Sequence, residues 1–124
     1  MHLRFKRERS KLWKKEFVYF VDDTWIDQGN LKMPAVPCGC FKSLDLAVFY
    51  VGTKCGSISK LNRNKYDIRV SIYNDGFSDD DIRKNLVQAT IITTTEKDRP
   101  DMIKSQHQFN IYKHPFYSKC IDIE

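Results

Sequence analysis

The chain has 124 residues, of which 41% are hydrophobic and 13% aromatic. This length fits one domain that can fold without obligatory disulfides or metal ions, and the composition is too apolar for a disordered chain. Apolar runs such as Phe17–Val21 and Ala47–Val51 are far shorter than the about 20 residues of a membrane-spanning helix. No membrane span is therefore predicted.

The net charge of +5 is concentrated at the N-terminus. The first 15 residues carry seven Lys and Arg against the single acid Glu8, a balance of 7 − 1 = +6. The other 109 residues carry 14 Lys and Arg against 15 Asp and Glu, a balance of 14 − 15 = −1. We therefore divide the chain into a basic N-terminal arm, residues 1–15, and a single compact β-rich domain, residues 16–124.

The first block after the arm reads as strands. Glu16–Val21 is rich in β-branched and aromatic residues, which favours a strand. Asp22 and Asp23 are expected to end this strand, and Trp25 with Ile26 to begin a partner. A proline-, glycine- and cysteine-containing loop is predicted from Met33 to Cys40.

The middle block contains one ambiguous segment and one clear strand. Leu44–Val51 is nearly all apolar, which fits a strand buried on both faces or a short buried helix. Tyr66–Tyr73 alternates apolar and polar residues, which is typical of a strand with one face towards the core. Asn74, Asp75 and Gly76 are turn-forming residues that end it.

The last block opens with a helix signal. Ser78 can cap a helix whose first turn is Asp79–Asp81, and Ile82, Leu86 and Ala89 recur at helical spacing. We therefore predict one short helix near residues 79–89. Strands are expected at Thr90–Thr95 and Gln108–Tyr112, with His114 and Pro115 breaking the second; a last short strand is expected at Cys120–Ile123.

The expected fold class is α+β, dominated by an antiparallel sheet in a small sandwich or open barrel. Strands mostly follow strands without helical crossovers, and this order favours antiparallel pairing.

The four cysteines leave three interpretations open. Reduced and mostly buried thiols are the leading one. A zinc site is a weaker alternative, because the sequence lacks paired C-x₂-C knuckles, and disulfides are the third. The zinc ligands would be Cys38 and Cys40 with Cys55 and Cys120, or with His107 or His114. The sequence has no secretory signal pattern and no N-glycosylation acceptor, so an intracellular location, cytoplasm or nucleus, is expected.

Catalytic signatures are absent from the sequence, and we predict that the protein is not an enzyme and needs no cofactor. The aspartates 79–81 are explained by helix capping. His107 shares the strand face of Phe109 and Ile111, which predicts a half-buried, hydrogen-bonded histidine. No sequence signature pairs a cysteine with His107 or His114 as a nucleophile and base, and no glycine-rich phosphate loop occurs.

The leading hypothesis is a nucleic-acid-binding protein of low sequence specificity that recognises RNA or single-stranded DNA. Lys and Arg side chains neutralise phosphates and release counterions, and interleaved aromatics can stack on bases. Tyr73 and Tyr112 are further stacking candidates. The predicted contact residues are Arg4, Phe5, Lys6, Arg7, Arg9, Lys11, Trp13, Lys14, Lys15, Lys60, Arg63 and Lys65.

Two alternatives come from other classes of protein. The aromatic content suits a small protein-interaction module, an inhibitor or viral accessory factor that binds a host protein through an apolar contact surface. An acidic protein surface is the corresponding alternative partner for the basic residues. A capsid-like β subunit, and with it a homo-oligomer, also combines a basic arm with an antiparallel domain, by analogy of architecture alone.

Overall fold

A computed structural model describes residues 13–26, 34–77 and 85–119. In these ranges one five-stranded antiparallel sheet carries one helix on one face, which confirms the sheet-dominated α+β class. The strand order is β2-β1-β5-β4-β3. The strands are β1 (Trp13–Ile26), β2 (Val36–Phe41), β3 (Tyr66–Tyr73), β4 (Leu86–Glu96) and β5 (Ile103–Lys119), and the helix is α1 (Leu44–Asn62).

β1 is one long strand, so the predicted break at Asp22 and Asp23 is wrong. It pairs with β5 from Trp13 to Ile26 without interruption. The two aspartates are tolerated inside a strand because neighbouring side chains hold them: Asn110 donates to Asp22, and His107 bonds to Asp23.

The predicted loop from Met33 to Cys40 contains an edge strand instead. Of the described strands, β2 pairs only with β1, and its register shifts opposite Val21 and Asp22. Proline lacks an N–H and is accommodated at edges and irregularities of this kind, which explains how Pro37 fits.

The helix lies at 44–62. The prediction of a short helix near 79–89 is wrong for the part of that range that the structure describes. Leu86–Ala89 belongs to β4, while residues 79–84 lie outside the described residues, as does the strand predicted at 120–123. A helix forms at Leu44 because the Ser43 hydroxyl accepts a hydrogen bond from the Leu46 amide at 3.2 Å. Ala47, Val51 and Cys55, spaced four apart, then face the sheet.

The core lies between α1 and the middle of the sheet. It contains Val21, Ala47, Val51, Cys55, Ile92, Phe109 and Ile111. β3, an edge strand, has the predicted bounds, but Val70 and Ile72 on its apolar face remain exposed. Among the described residues, no helix has both the length and the apolar character needed to cross a membrane.

Candidate nucleic-acid interface

β1 and β5 extend past their neighbours as a two-stranded ribbon. β2 pairs with β1 only from Tyr19 to Asp23, and β4 pairs with β5 only as far as Tyr112. Among the residues that the structure describes, 13–18 and 114–119 therefore pair only with each other. We call this segment the ribbon. The predicted break at Pro115 is wrong because that residue lies in the ribbon, where β4 no longer needs an N–H from β5.

The ribbon is basic. Together with Lys113 at its base it contains four lysines, 14, 15, 113 and 119, against one acid, Glu16, a balance of 4 − 1 = +3. Residues 1–12, which continue the chain from Trp13, add five Lys and Arg against Glu8, a balance of 5 − 1 = +4. The strongest positive charge of the sequence thus continues into this end of the sheet.

One face of the ribbon combines lysines with exposed aromatic rings. The ammonium nitrogen of Lys113 lies 4.1 Å from the centre of the Phe17 ring, and that of Lys15 lies 5.6 Å from it. Both distances are within the range of a cation–π interaction. Phe17 is 38% exposed and Tyr117 is 58% exposed. Two cations and two accessible rings therefore share one surface.

The opposite face carries a second aromatic group. The rings of Phe20 and His114 meet edge to face with centres 5.3 Å apart, and Tyr112 lies 6.5 Å from His114. Phe116, further along the ribbon, is exposed. The Asn85 amide lies 3.4 Å from Nδ1 of His114 and helps to orient the imidazole.

On the same face as this second group, a row of hydrogen-bonded polar side chains lies towards the middle of the sheet. Gln108 donates to Asn110 at 2.9 Å, and Asn110 donates to Asp22 at 3.0 Å. Burial raises the pKa of the Asp22 carboxyl, while the hydrogen bond from Asn110 acts in the opposite direction. These amides are occupied by each other and by Asp22, which limits their use in reading base edges.

The comparisons with known proteins found no match. No protein-family model matches this chain, and neither a curated protein nor a solved structure shows significant similarity to it.

His107 is half-buried and hydrogen-bonded, as the sequence predicts. Its Nδ1 lies 2.9 Å from a carboxylate oxygen of Asp23. The ring is stacked between Trp25, with centres 5.8 Å apart, and Phe109, with centres 5.9 Å apart. These contacts assign His107 a structural role in orienting the ends of β1 and β5.

The cysteines at 38, 40 and 55 are free thiols. Burial raises the pKa of Cys38 and of Cys55, and the negative charge of Asp23 raises both further. Both thiols therefore stay protonated at neutral pH, which does not favour a thiolate nucleophile. Within the described ranges no three His, Cys, Asp or Glu side chains are placed to hold a metal ion; Cys120, the fourth proposed zinc ligand, lies outside them.

The structure divides the predicted contact residues between two ends of the sheet. Trp13, Lys14 and Lys15 belong to the ribbon. The other three, Lys60, Arg63 and Lys65, lie at the end of α1 and before β3, at the end of the sheet where β5 begins with Ile103. At about 3.3 Å per residue, this end of the sheet is roughly 40 Å along β5 from Pro115. The predicted residues Arg4, Phe5, Lys6, Arg7, Arg9 and Lys11 lie outside the described residues.

Sequence reasoning missed Phe17, Lys113, Phe116 and Tyr117 as contact candidates. Their signal is present in the sequence, because each strand mixes basic and aromatic residues over a short span. What the sequence does not contain is the pairing of β1 with β5, which brings residues about one hundred positions apart onto one surface.

Proposed function

We propose that this protein binds single-stranded nucleic acid, RNA or DNA, without catalysis and with low sequence specificity, through the ribbon and the basic residues that precede it. The observation that carries the proposal is the lysine-flanked Phe17 on a projecting two-stranded ribbon that, together with Lys113 at its base, has a net charge of +3. The chain segment with the highest positive charge leads directly into this ribbon.

The charges supply affinity of the kind that a polyanion requires. Lysines at 15 and 113 lie on one face and can each neutralise a phosphate, which releases condensed counterions. This contribution is independent of base sequence and decreases as salt increases.

The exposed rings favour single strands over duplexes. Phe17 and Tyr117 can stack on unpaired bases, an interaction worth about 1–3 kcal/mol per base that tolerates any sequence. Bases in a duplex are already stacked on each other. The amides of Gln108 and Asn110 lie on the opposite face of the sheet and are occupied within the protein, which supports low specificity.

The salt dependence of binding tests the ribbon directly. We expect the full chain to bind a fluorescent 20-nucleotide RNA or DNA strand, measured by anisotropy between 50 and 300 mM salt. The double variant Lys15→Gln/Lys113→Gln removes two phosphate contacts, so the slope of log K against log salt should become shallower by about 1.4.

The matched control changes the same number of charges at the far end of the sheet. Arg63→Gln/Lys65→Gln should leave the slope within error of the parent chain. Equal losses in both double variants would show binding by net charge alone and would reject the ribbon as the site. No binding of the parent chain at 50 mM salt would reject the proposal as a whole.

A second candidate function, a protein-interaction module, is favoured by a different surface. Phe49 is 75% exposed and Leu61 is 84% exposed on α1. Large apolar side chains at a surface are common at protein contacts. Capture of one defined protein that survives nuclease treatment, and is lost with Phe49→Ala but not with Lys15→Gln/Lys113→Gln, would favour this function over nucleic-acid binding.

A further inference from the structure

The outward face of α1 has a composition that the fold itself does not explain. Gly52 and Gly56 lie on it, and a Cβ atom at either position would meet nothing within 4 Å. Glycine in a helix costs about 1 kcal/mol relative to alanine, and neither glycine is required by a close contact within the described residues. Phe49, one turn before Gly52, is 75% exposed.

These residues form a regular seam along the helix. Asp45, Phe49, Gly52, Gly56 and Lys60 follow each other at intervals of three or four residues, which places them on one side. This seam lies opposite the stripe of Ala47, Val51 and Cys55 that packs on the sheet. All five seam residues are exposed.

The seam is complementary to the seam of a second copy of the helix that runs in the opposite direction. Asp45 and Lys60 lie equally far from the point between Gly52 and Thr53, and so do Phe49 and Gly56. In an antiparallel pair related by a two-fold axis at that point, each Asp45 faces a Lys60 and each Phe49 faces a Gly56. A two-fold axis makes every such contact twice.

We infer that the outward face of α1 is a dimer interface, in which a second copy of this chain docks antiparallel across Gly52 and Thr53. The glycines let the two helix backbones approach, and the space above each Gly56 receives Phe49 of the other copy. The charges at the two ends fix the antiparallel direction, because a parallel pair would place Asp45 against Asp45 and Lys60 against Lys60.

The interface is small, so the dimer is expected to be weak. From Asp45 to Lys60 the seam is about 22 Å long at 1.5 Å per residue, and one pair of helices buries less than the about 1,200 Å² of a standard interface. We expect a dissociation constant on the order of 100 μM.

Sedimentation equilibrium of the nucleic-acid-free full chain tests the inference. Between about 10 and 500 μM, the average mass should rise from 14.7 kDa towards twice that value. Phe49→Ala should weaken the dimer at least tenfold. Leu61→Ala, which removes an equally exposed apolar side chain outside the seam, should leave the dissociation constant unchanged.

Charge reversal tests the direction of pairing. Asp45→Lys alone and Lys60→Asp alone should each weaken the dimer about tenfold, because each creates two repulsive contacts. The double variant Asp45→Lys/Lys60→Asp should restore dimerisation. Circular dichroism at 10 μM serves to show that each variant is folded.

Three results would overturn the inference. They are a parent chain that stays monomeric at 500 μM, an effect of Leu61→Ala as large as that of Phe49→Ala, and a double charge reversal that fails to restore association. Gly56→Leu gives an independent reading, since a large side chain there should abolish the dimer while leaving the helix intact.

Discussion

Asp22 is a carboxylate placed within a sheet, and its surroundings alter its ionisation. Burial raises its pKa, because a desolvated carboxylate loses its hydration. The amide of Asn110 donates to it and partly compensates. A raised pKa means that the folded state holds this proton more tightly than the unfolded state does, so ionisation of Asp22 opposes folding.

This sign predicts a pH-dependent effect of Asp22→Asn. Below the ordinary aspartate pKa both chains are neutral at this position, and their stabilities should differ least. As pH rises through the raised pKa of Asp22, the parent chain loses stability that the variant keeps. Urea unfolding at pH 4, 5.5 and 7 should show the advantage of the variant growing with pH. An advantage that shrinks towards pH 7 would contradict the assigned sign.

Phe17 is predicted to contribute to nucleic-acid affinity through its ring. Phe17→Leu keeps a large apolar side chain but removes the π face, and should weaken single-strand binding by about 1 kcal/mol or more, roughly fivefold. Phe17→Tyr keeps the ring and should bind like the parent chain. Anisotropy titration of both variants at 100 mM salt checks this, and equal binding by all three chains would exclude stacking on residue 17.

The elements of the fold differ in how far local sequence determines them. β3 is predicted with correct bounds because strict alternation and the turn at residues 74–76 coincide. For the start of α1 the sequence leaves both a helix and a strand open, since Leu44–Val51 is apolar enough for a buried strand. The cap at Ser43 and the recurrence of Ala47, Val51 and Cys55 at helical spacing are the signals that decide it.

Tertiary pairing explains the errors that local patterns produce. Asp22 and Asp23 are strand breakers by composition, yet β1 continues through them because β5 supplies a complete row of hydrogen bonds. Leu86 and Ala89 fit a helical stripe, but both are buried in β4 between β3 and β5. Lys14 and Lys15 could be predicted as basic residues of the site from the sequence; Lys113 and the ribbon that presents these lysines could not, because both depend on a pairing between distant segments.

The two solvent-facing glycines of α1 and the glycine of the turn after β3 should respond oppositely to alanine. Gly56→Ala should stabilise the monomer by about 0.8–1.0 kcal/mol, since the added methyl group meets nothing and alanine favours helix. Gly76 has a φ of +76°, which an L-residue adopts at a cost of about 1–2 kcal/mol, so Gly76→Ala should destabilise. Urea unfolding at 5 μM checks both signs.

For the whole molecule, the proposed activity requires the basic segment that precedes the sheet. Removing residues 1–12 changes the net charge from +5 to 5 − 4 = +1 and leaves β1, which begins at Trp13, complete. We expect the truncated chain to fold normally and to bind single strands at least tenfold more weakly at 50 mM salt. Circular dichroism and anisotropy check the two halves of this expectation, and undiminished affinity would place binding on the sheet alone.

The central pairing of the sheet joins the two most distant described segments of the chain, Trp13 and Lys119. A nascent chain leaving the ribosome therefore exposes β1, with its Phe17–Val21 run, until β5 has been synthesised. Such high contact order slows folding. An unpaired apolar strand is also prone to pair with exposed strands of other chains and so to aggregate. Slow folding, and a need for chaperone protection of β1 until β5 emerges, are the consequences for production of this protein in a cell.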